Sequence, residues 1–193
     1  YTDLIISQSD RLRYLVDRLL GPTKRGESKL TNIHEVLERV VRTLTYEYGE
    51  SLKLTRDYDP SLPDIRVVPE ACEQVFLNIA QNAAQAMSGA GTIVIKTRVE
   101  HQLTLFGLRY RQCAVVTVTD NGPGIPAELR DTLFYPLISG RAEGTGLGLS
   151  LAQNLVHQHK GKIEFDSSPG KTRFSVYLPY LTADNGNEVI DDH

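Results

Sequence analysis

The sequence VTVTDNGPGI, at residues 116–125, limits the fold of this chain more than any other stretch. Its first four residues are β-branched, which is typical of a strand. Asn121 and Gly122 tolerate a positive φ, so turn chemistry predicts that the strand ends at Asp120 and that the chain then turns. An unpaired carboxylate at the end of a buried strand would be costly in free energy. We therefore expect Asp120 to hold a partner there, with Gly124 keeping the backbone clear of it.

Strand and helix patterns alternate in blocks along the rest of the chain. Strand patterns at 92–100 and 112–120 predict a hairpin, whose joining segment is a long loop or an extension of both strands. A second hairpin is predicted across Ser-Ser-Pro-Gly, and helical patterns begin at Asn32, Pro69 and Leu149. This order predicts an α/β fold, in detail an α+β two-layer sandwich with helices on one face of a mixed sheet.

The two ends of the chain fall outside that unit. Apolar residues recur every seven positions in 1–21, which predicts a helix that needs a partner helix, in a hairpin or in a second chain. Residues 22–30 predict a linker, 31–180 the main domain, and the acidic stretch 181–193 a disordered tail. Because the first residue is not Met, we expect the sequence to be a piece of a longer protein.

Composition excludes several classes of function. The net charge of −3 gives no broad basic field, so nucleic acid is not the expected partner. The sequence has no apolar run of the roughly 18 residues that span a membrane, and it opens on no signal peptide. The two cysteines form no zinc spacing and suit a reducing cytoplasm.

The predicted helix from Pro69 carries an uncharged polar stripe beside its apolar face. Amides at helical spacing make up that stripe, although Asn is a poor helix former. A solvated face is the alternative interpretation, but such faces usually carry Glu and Lys. Amide oxygens suit Mg²⁺, so Asn82 is the candidate metal ligand. The stripe consists of Gln74, Asn78, Gln81, Asn82 and Gln85.

A second candidate site is the sequence GTGLGL at 144–149, just before a helix. Glycines let backbone approach a ligand, and a helix N-terminus presents N–H groups to an anion, so the run predicts phosphate binding. A flexible hinge would have the same pattern, and neither a Rossmann fingerprint nor a P-loop is present. Two interpretations are open for Arg141, a phosphate ligand or a surface residue. Two are also open for Phe134, which is expected to pack either beneath a loop or in the core.

No other catalytic pattern is found in the sequence. The five histidines lie in no nucleophile–base arrangement, and there is no nucleophile elbow, HExxH or HRD kinase loop. Any chemistry is therefore expected on a bound nucleotide, with the acceptor supplied from elsewhere.

Taken in order, these motifs resemble the ATP-binding domain of sensor histidine kinases. That domain has the Bergerat (GHKL) fold, which gyrase, Hsp90 and MutL share. The resemblance covers about residues 30–180 and implies a histidine protein kinase that uses ATP and Mg²⁺. The matching motifs are NIAQNA (78–83, N box), DNGPGI (120–125, G1 box), LFYP (133–136, F box), GTGLGL (144–149, G2 box) and GKTRF (170–174, a G3-like element).

The resemblance also implies a role for each residue. Asp120 would accept a hydrogen bond from the adenine amino group with help from Thr172, Asn82 would hold Mg²⁺, and Arg141 would face the γ-phosphate. The implied nucleotide contacts are Asn78, Asn82, Gln85, Asp120, Gly122, Gly124, Ile125, Phe134, Arg141, Gly144, Thr145, Gly146, Leu147, Gly148, Leu149, Lys162 and Thr172.

Within the family, the phrases DTLFYPLISGR and GTGLGLSLAQNL are most similar to the nitrogen-regulation sensor kinases. That branch implies a cytoplasmic homodimer, a receiver domain of an NtrC-like response regulator and the signalling protein PII as partners. Two departures stand out: Gln85 replaces a frequent Lys, and no His-Glu-x-x-Asn-Pro acceptor motif is present, so 1–21 resembles the second helix of a dimerisation hairpin.

Two alternatives remain open from the sequence. A gyrase-like or Hsp90-like ATPase would use a Glu in the N-box helix to activate water, and no Glu lies between Gln74 and Met87. A non-catalytic module that docks PII is the other alternative.

Overall fold

A five-stranded mixed sheet carries the helices of this protein on one face. The computed structural model describes residues 26–136 and 148–181, so the predicted helix at 1–21, the start of the linker and nearly all of the tail lie outside it. The strands are β1 (Lys29–Thr31), β2 (Leu52–Asp57), β3 (Ile65–Val67), β4 (Gly91–Leu105), β5 (Leu108–Asp120), β6 (Lys162–Ser168) and β7 (Lys171–Pro179). The helices are α1 (Ile33–Tyr48), α2 (Pro69–Ala86), α3 (Ala127–Arg130) and α4 (Gly148–Gln158).

The main sheet has the strand order β2-β4-β5-β7-β6. β2 runs parallel to β4, while the pairs β4–β5, β5–β7 and β6–β7 are antiparallel. The expected mixed sheet and both expected hairpins are therefore confirmed. The ends of β5 and β6 and the start of β7 lie side by side, which brings distant parts of the chain together.

Local sequence explains where the two long helices begin. The Asn32 side chain accepts a hydrogen bond of 2.9 Å from the backbone N–H of His34, which caps α1 as the sequence predicts. Pro69 occupies the first turn of α2, where its missing N–H costs nothing. The apolar faces of both helices pack against the sheet, with Val36, Val40, Leu44, Phe76 and Ile79 almost completely buried.

The structure decides one open alternative of the sequence prediction and adds a small sheet that the sequence does not predict. The segment between the strands of the first hairpin is strand rather than loop, because β4 and β5 pair as far as Leu105 and Leu108. A separate two-stranded sheet of β1 and β3 was not predicted, since three residues are too few for a period to emerge. β1 begins at Lys29, inside the predicted linker.

No helix among the described residues is both long enough and apolar enough to cross a membrane.

Candidate functional site

A row of directly opposite residues crosses four strands at one end of the sheet, and three of its four members are polar. Ile93 on β4 lies opposite Asp120 on β5, Asp120 lies opposite Thr172 on β7, and Thr172 lies opposite Ser167 on β6. Directly opposite residues point to the same face of a sheet. All four side chains are at most 9% exposed. We call Asp120, Thr172 and Ser167 the polar row.

The next row on the same face, two residues further along each strand from the end of the sheet, is apolar. Ile95, Val118, Phe174 and Phe165 follow one another across the same four strands. Phe134 packs edge-on against this row, with its ring 6.0 Å from that of Phe165 and 6.4 Å from that of Phe174. Three residues of this apolar row, Ile95, Val118 and Phe174, are at most 2% exposed, so the polar row adjoins the hydrophobic core.

Asp120 is the only charged side chain of the row. Its Oδ1 accepts a hydrogen bond of 2.9 Å from the backbone N–H of Gly122, and the carboxylate is 5% exposed. The turn itself therefore supplies one hydrogen-bond donor to Asp120. This bond fixes the direction in which the carboxylate points.

Gly122 and Gly124 are needed because the turn after β5 passes close to other parts of the chain. A Cβ on Gly122 would lie 2.9 Å from Asp120 Oδ1. Gly124 has a φ of +87°, and a Cβ there would lie 2.7 Å from the carbonyl oxygen of Ser168. One hydrogen bond of 2.8 Å, from the Ile125 N–H to Ser167 Oγ, ties the same loop to β6.

Asn78 connects the two helices beside the row. Its Oδ1 accepts a hydrogen bond of 2.6 Å from Gln74 Nε2, and its Nδ2 donates one of 3.0 Å to the carbonyl oxygen of Gly148. Gly148 is the first residue of α4, and Leu149 after it is buried. Asn78 therefore fixes where α4 begins relative to α2.

Asn82 and Gln85 lie one and two turns further along α2, on the face that carries Asn78. The Asn82 side chain is half-buried and Gln85 is exposed. No group of three or more His, Cys, Asp or Glu that could hold a metal occurs in residues 26–136 and 148–181. A single amide oxygen with phosphates and waters is nevertheless a donor set that Mg²⁺ accepts, because this ion keeps several waters. The residues present fit the ion.

Of the remaining predicted site residues, one is described away from the row and the others are not described. Arg141 and 144–147 lie outside the part of the chain that the structure describes. Lys162 is described, but it lies opposite Tyr177, five residues along β7 from Thr172. At 3.3–3.4 Å per residue that separation is about 17 Å. Its ammonium group pairs with Glu164 at 2.6 Å.

Ser167 is the residue of the row that the sequence did not single out. It lies in the Ser-Ser-Pro-Gly stretch, which predicts a turn, whereas β6 continues to Ser168. Its hydroxyl oxygen is 2.8 Å from Thr172 Oγ1. The sequence signal is the period of two along β6, because Ile163, Phe165 and Ser167 alternate with charged residues and so share one face.

Neither Cys72 nor Cys113 supplies a reactive thiolate. Burial raises the pKa of the Cys72 thiol to about 12 and, with the charge of Glu100, that of Cys113 to about 11. Both thiols are therefore protonated at neutral pH, and neither is a ready nucleophile or metal ligand.

The chain is similar to known proteins over most of its length. Over 180 residues the chain is 58% identical to the sensory histidine kinase/phosphatase NtrB of Klebsiella oxytoca, a match that covers 93% of this chain and 52% of that protein. It is 39% identical to NtrB of Rhodobacter capsulatus over 183 residues, again 92% of this chain and 52% of that protein. The chain thus spans about half the length of these relatives.

Similarity in structure extends to proteins of lower identity. The catalytic domain of histidine kinase ThkA superposes with a TM-score of 0.68 at 24% identity, over 79% of this chain and 95% of that one. This likeness confirms the two-layer α/β fold. Residues 67–182 match the family described as histidine kinase-, DNA gyrase B- and HSP90-like ATPase. The chain belongs to this family, as the ATP-binding domain of a sensor histidine kinase similar to NtrB.

Proposed function

We propose that this chain binds ATP at the polar row and that the intact protein transfers the γ-phosphate to a histidine and then to an aspartate of a response regulator. The observation that carries this proposal is the buried Asp120 carboxylate, oriented by Gly122 and set beside Thr172 above an apolar row. A buried carboxylate held in a fixed direction is a good acceptor for a ligand edge that carries a hydrogen-bond donor, and the adenine amino group is such a donor.

The base would lie against the polar row, with Ile125 and Phe134 beside it. Gly122 and Gly124 keep the turn after β5 free of side chains. Asp120 then selects the base by its amino group, and Thr172 contributes a hydroxyl at the neighbouring position of the row.

The phosphates would extend from the base towards α2 and the start of α4. Gly148 and Leu149 open α4, whose N-terminus favours anions. The resemblance assigns phosphate contacts to the preceding residues 144–147 and the γ-phosphate to Arg141. Asn82 would hold Mg²⁺, which when bound neutralises phosphate charge. Gln85 supplies no charge where many relatives have Lys, so Arg141 carries more of that task.

Catalysis on this proposal consists of positioning and charge stabilisation. The attacking histidine nitrogen, the phosphorus and the leaving oxygen need to be roughly in line, and the protein supplies N–H groups and a cation for the charge. The 193 residues contain no His-Glu-x-x-Asn-Pro motif, so the acceptor is expected outside them. No Glu lies between Gln74 and Met87 to activate water, so transfer is favoured over hydrolysis.

The proposed partners follow from the similarity to NtrB. We expect a cytoplasmic homodimer in which this domain serves an NtrC-like receiver domain and also contacts PII. A receiver domain that accepts no phosphate from the intact protein would contradict the first expectation. Retention of PII binding by a variant that has lost nucleotide binding would show that the two roles are separate.

Calorimetry tests the ligand directly. ADP and a non-hydrolysable ATP analogue are titrated into the chain with and without Mg²⁺. We expect binding of both, tighter with the metal for the triphosphate. Absence of binding under both conditions would refute the proposal. In a second experiment with γ-labelled ATP, we expect no stable label on this chain alone, and label on an added acceptor helix hairpin.

A further inference from the structure

Ser167 has no assigned role, yet it occupies a position in the polar row. It is 9% exposed, and β6 places it directly opposite Thr172, which in turn lies opposite Asp120. We propose that Ser167 is a positioning residue that sets the base specificity of the site by fixing the hydroxyl proton of Thr172. This inference rests on the proposed nucleotide-binding function.

Ser167 makes two hydrogen bonds, and each reaches a different side of the site. The Ile125 N–H donates to its Oγ at 2.8 Å, across 42 residues of sequence. Its Oγ is also 2.8 Å from Thr172 Oγ1. The first bond holds the loop after Asp120 against β6, and the second one connects that loop to Thr172.

The hydroxyl protons have a preferred order. A hydroxyl has one proton and two acceptor positions. The Ile125 N–H occupies one acceptor position of the Ser167 hydroxyl. If the Ser167 proton is not donated to Thr172, it has no other acceptor among the hydrogen bonds that this side chain makes in the described part of the chain. Such a proton without a partner is costly. In this proposal Ser167 is the donor, because the proton of Thr172, which lies opposite Asp120, then has the ligand edge as its partner.

This order gives the row a defined pattern of donor and acceptor. Asp120 offers an acceptor and Thr172 offers a donor at neighbouring positions. An adenine edge presents the complement, an amino donor next to a ring acceptor. A guanine edge presents a carbonyl acceptor next to an N–H donor, which places acceptor against acceptor and donor against donor. Ser167 thereby makes the site select 6-amino over 6-oxo purines.

The test compares ADP and GDP affinities in three variants by calorimetry. Ser167→Ala is expected to weaken ADP about tenfold, the size of one hydrogen bond, and to lower the preference for ADP over GDP by a similar factor. Ser167→Thr keeps the hydroxyl and is expected to keep the preference. Ser168→Ala changes the exposed neighbour and is expected to behave as the unmodified protein.

A double-mutant cycle with Thr172→Val checks that Ser167 acts through Thr172. We expect Ser167→Ala to lower the preference for ADP over GDP in the unmodified protein and to leave that preference unchanged in Thr172→Val, because Ser167 sets it through the Thr172 hydroxyl. An equal change in preference in both backgrounds, or a preference unchanged in Ser167→Ala, would overturn the inference. If Ser167→Ala does not fold, Ser167→Cys, whose thiol is a weak donor, takes its place with the same expected and contrary outcomes. Absence of ADP binding by the unmodified protein would instead refute the proposed function.

Discussion

The two ends of the candidate site are built in different ways. At the base end, Asp120, Thr172 and Ser167 come from three strands and meet through strand register. At the phosphate end, Asn78 and Asn82 come from one helix and meet through its periodicity. Strand register is fixed by many backbone hydrogen bonds, whereas at the start of α4 a side-chain bond from Asn78 to Gly148 joins α4 to α2. We therefore expect the base end to be rigid and sensitive to small changes, and the phosphate end to be more tolerant.

The largest effect is expected from Asp120→Asn. The amide places a donor where the base also donates, and a buried hydrogen bond to a charged group is lost, so ADP affinity should fall about 100-fold. Asp131→Asn, at an exposed carboxylate after α3, is the matched control. Calorimetry measures both, and equal affinities for the two variants would contradict the role of Asp120.

A steric test of the base end comes from Gly124→Ala. The new Cβ would meet the Ser168 carbonyl oxygen at 2.7 Å and would require a φ of +87°. We expect a loss of about 3 kcal/mol in the free energy of unfolding, together with weaker ADP binding. Gly170→Ala is the control, because Gly170 has a φ of +85° with nothing within 4 Å of its added Cβ. It should lose about 1 kcal/mol, and an equal loss in both variants would show that the close approach does not matter.

At the phosphate end, Asn82→Ala is expected to have a smaller and conditional effect. The analogue of ATP should bind about tenfold less tightly with Mg²⁺ present, and with unchanged affinity when the metal is chelated. Gln81→Ala, which removes an exposed hydrogen bond to Glu47, is the control on the same helix. A loss of affinity that is equal with and without Mg²⁺ would count against a metal ligand at Asn82.

The same contrast explains what sequence could predict. Asn78 and Asn82 are recognisable because residues four apart share a helix face, and Asp120 because a turn follows a strand. Thr172 was assigned only through the family resemblance, and Ser167 was missed, because spacing in sequence does not determine which residues of separate strands lie opposite. Lys162 was assigned by the same resemblance, and the register places it about 17 Å along the sheet. Register depends on the whole sheet, whereas helical periodicity is local.

The smallest loss of ADP affinity is expected when hydrogen bonds between α2 and α4 are removed. These bonds test whether the phosphate end tolerates small changes. Asn78 joins the two helices at the start of α4, and His159 joins them just after its end, where Nε2 accepts a hydrogen bond of 3.1 Å from the Val68 N–H. Asn78→Ala removes hydrogen bonds to Gln74 and Gly148, and His159→Leu removes hydrogen bonds to Val68 and Leu155, so each variant should lose about 2 kcal/mol of unfolding free energy. Only Asn78 adjoins the first residue of α4. ADP affinity should therefore fall a few-fold in Asn78→Ala and stay unchanged in His159→Leu, as measured by thermal unfolding and calorimetry on the same samples. If Asn78→Ala and His159→Leu lose the same ADP affinity, a change at either end of α4 affects the site. The phosphate end would then be as sensitive to small changes as the base end.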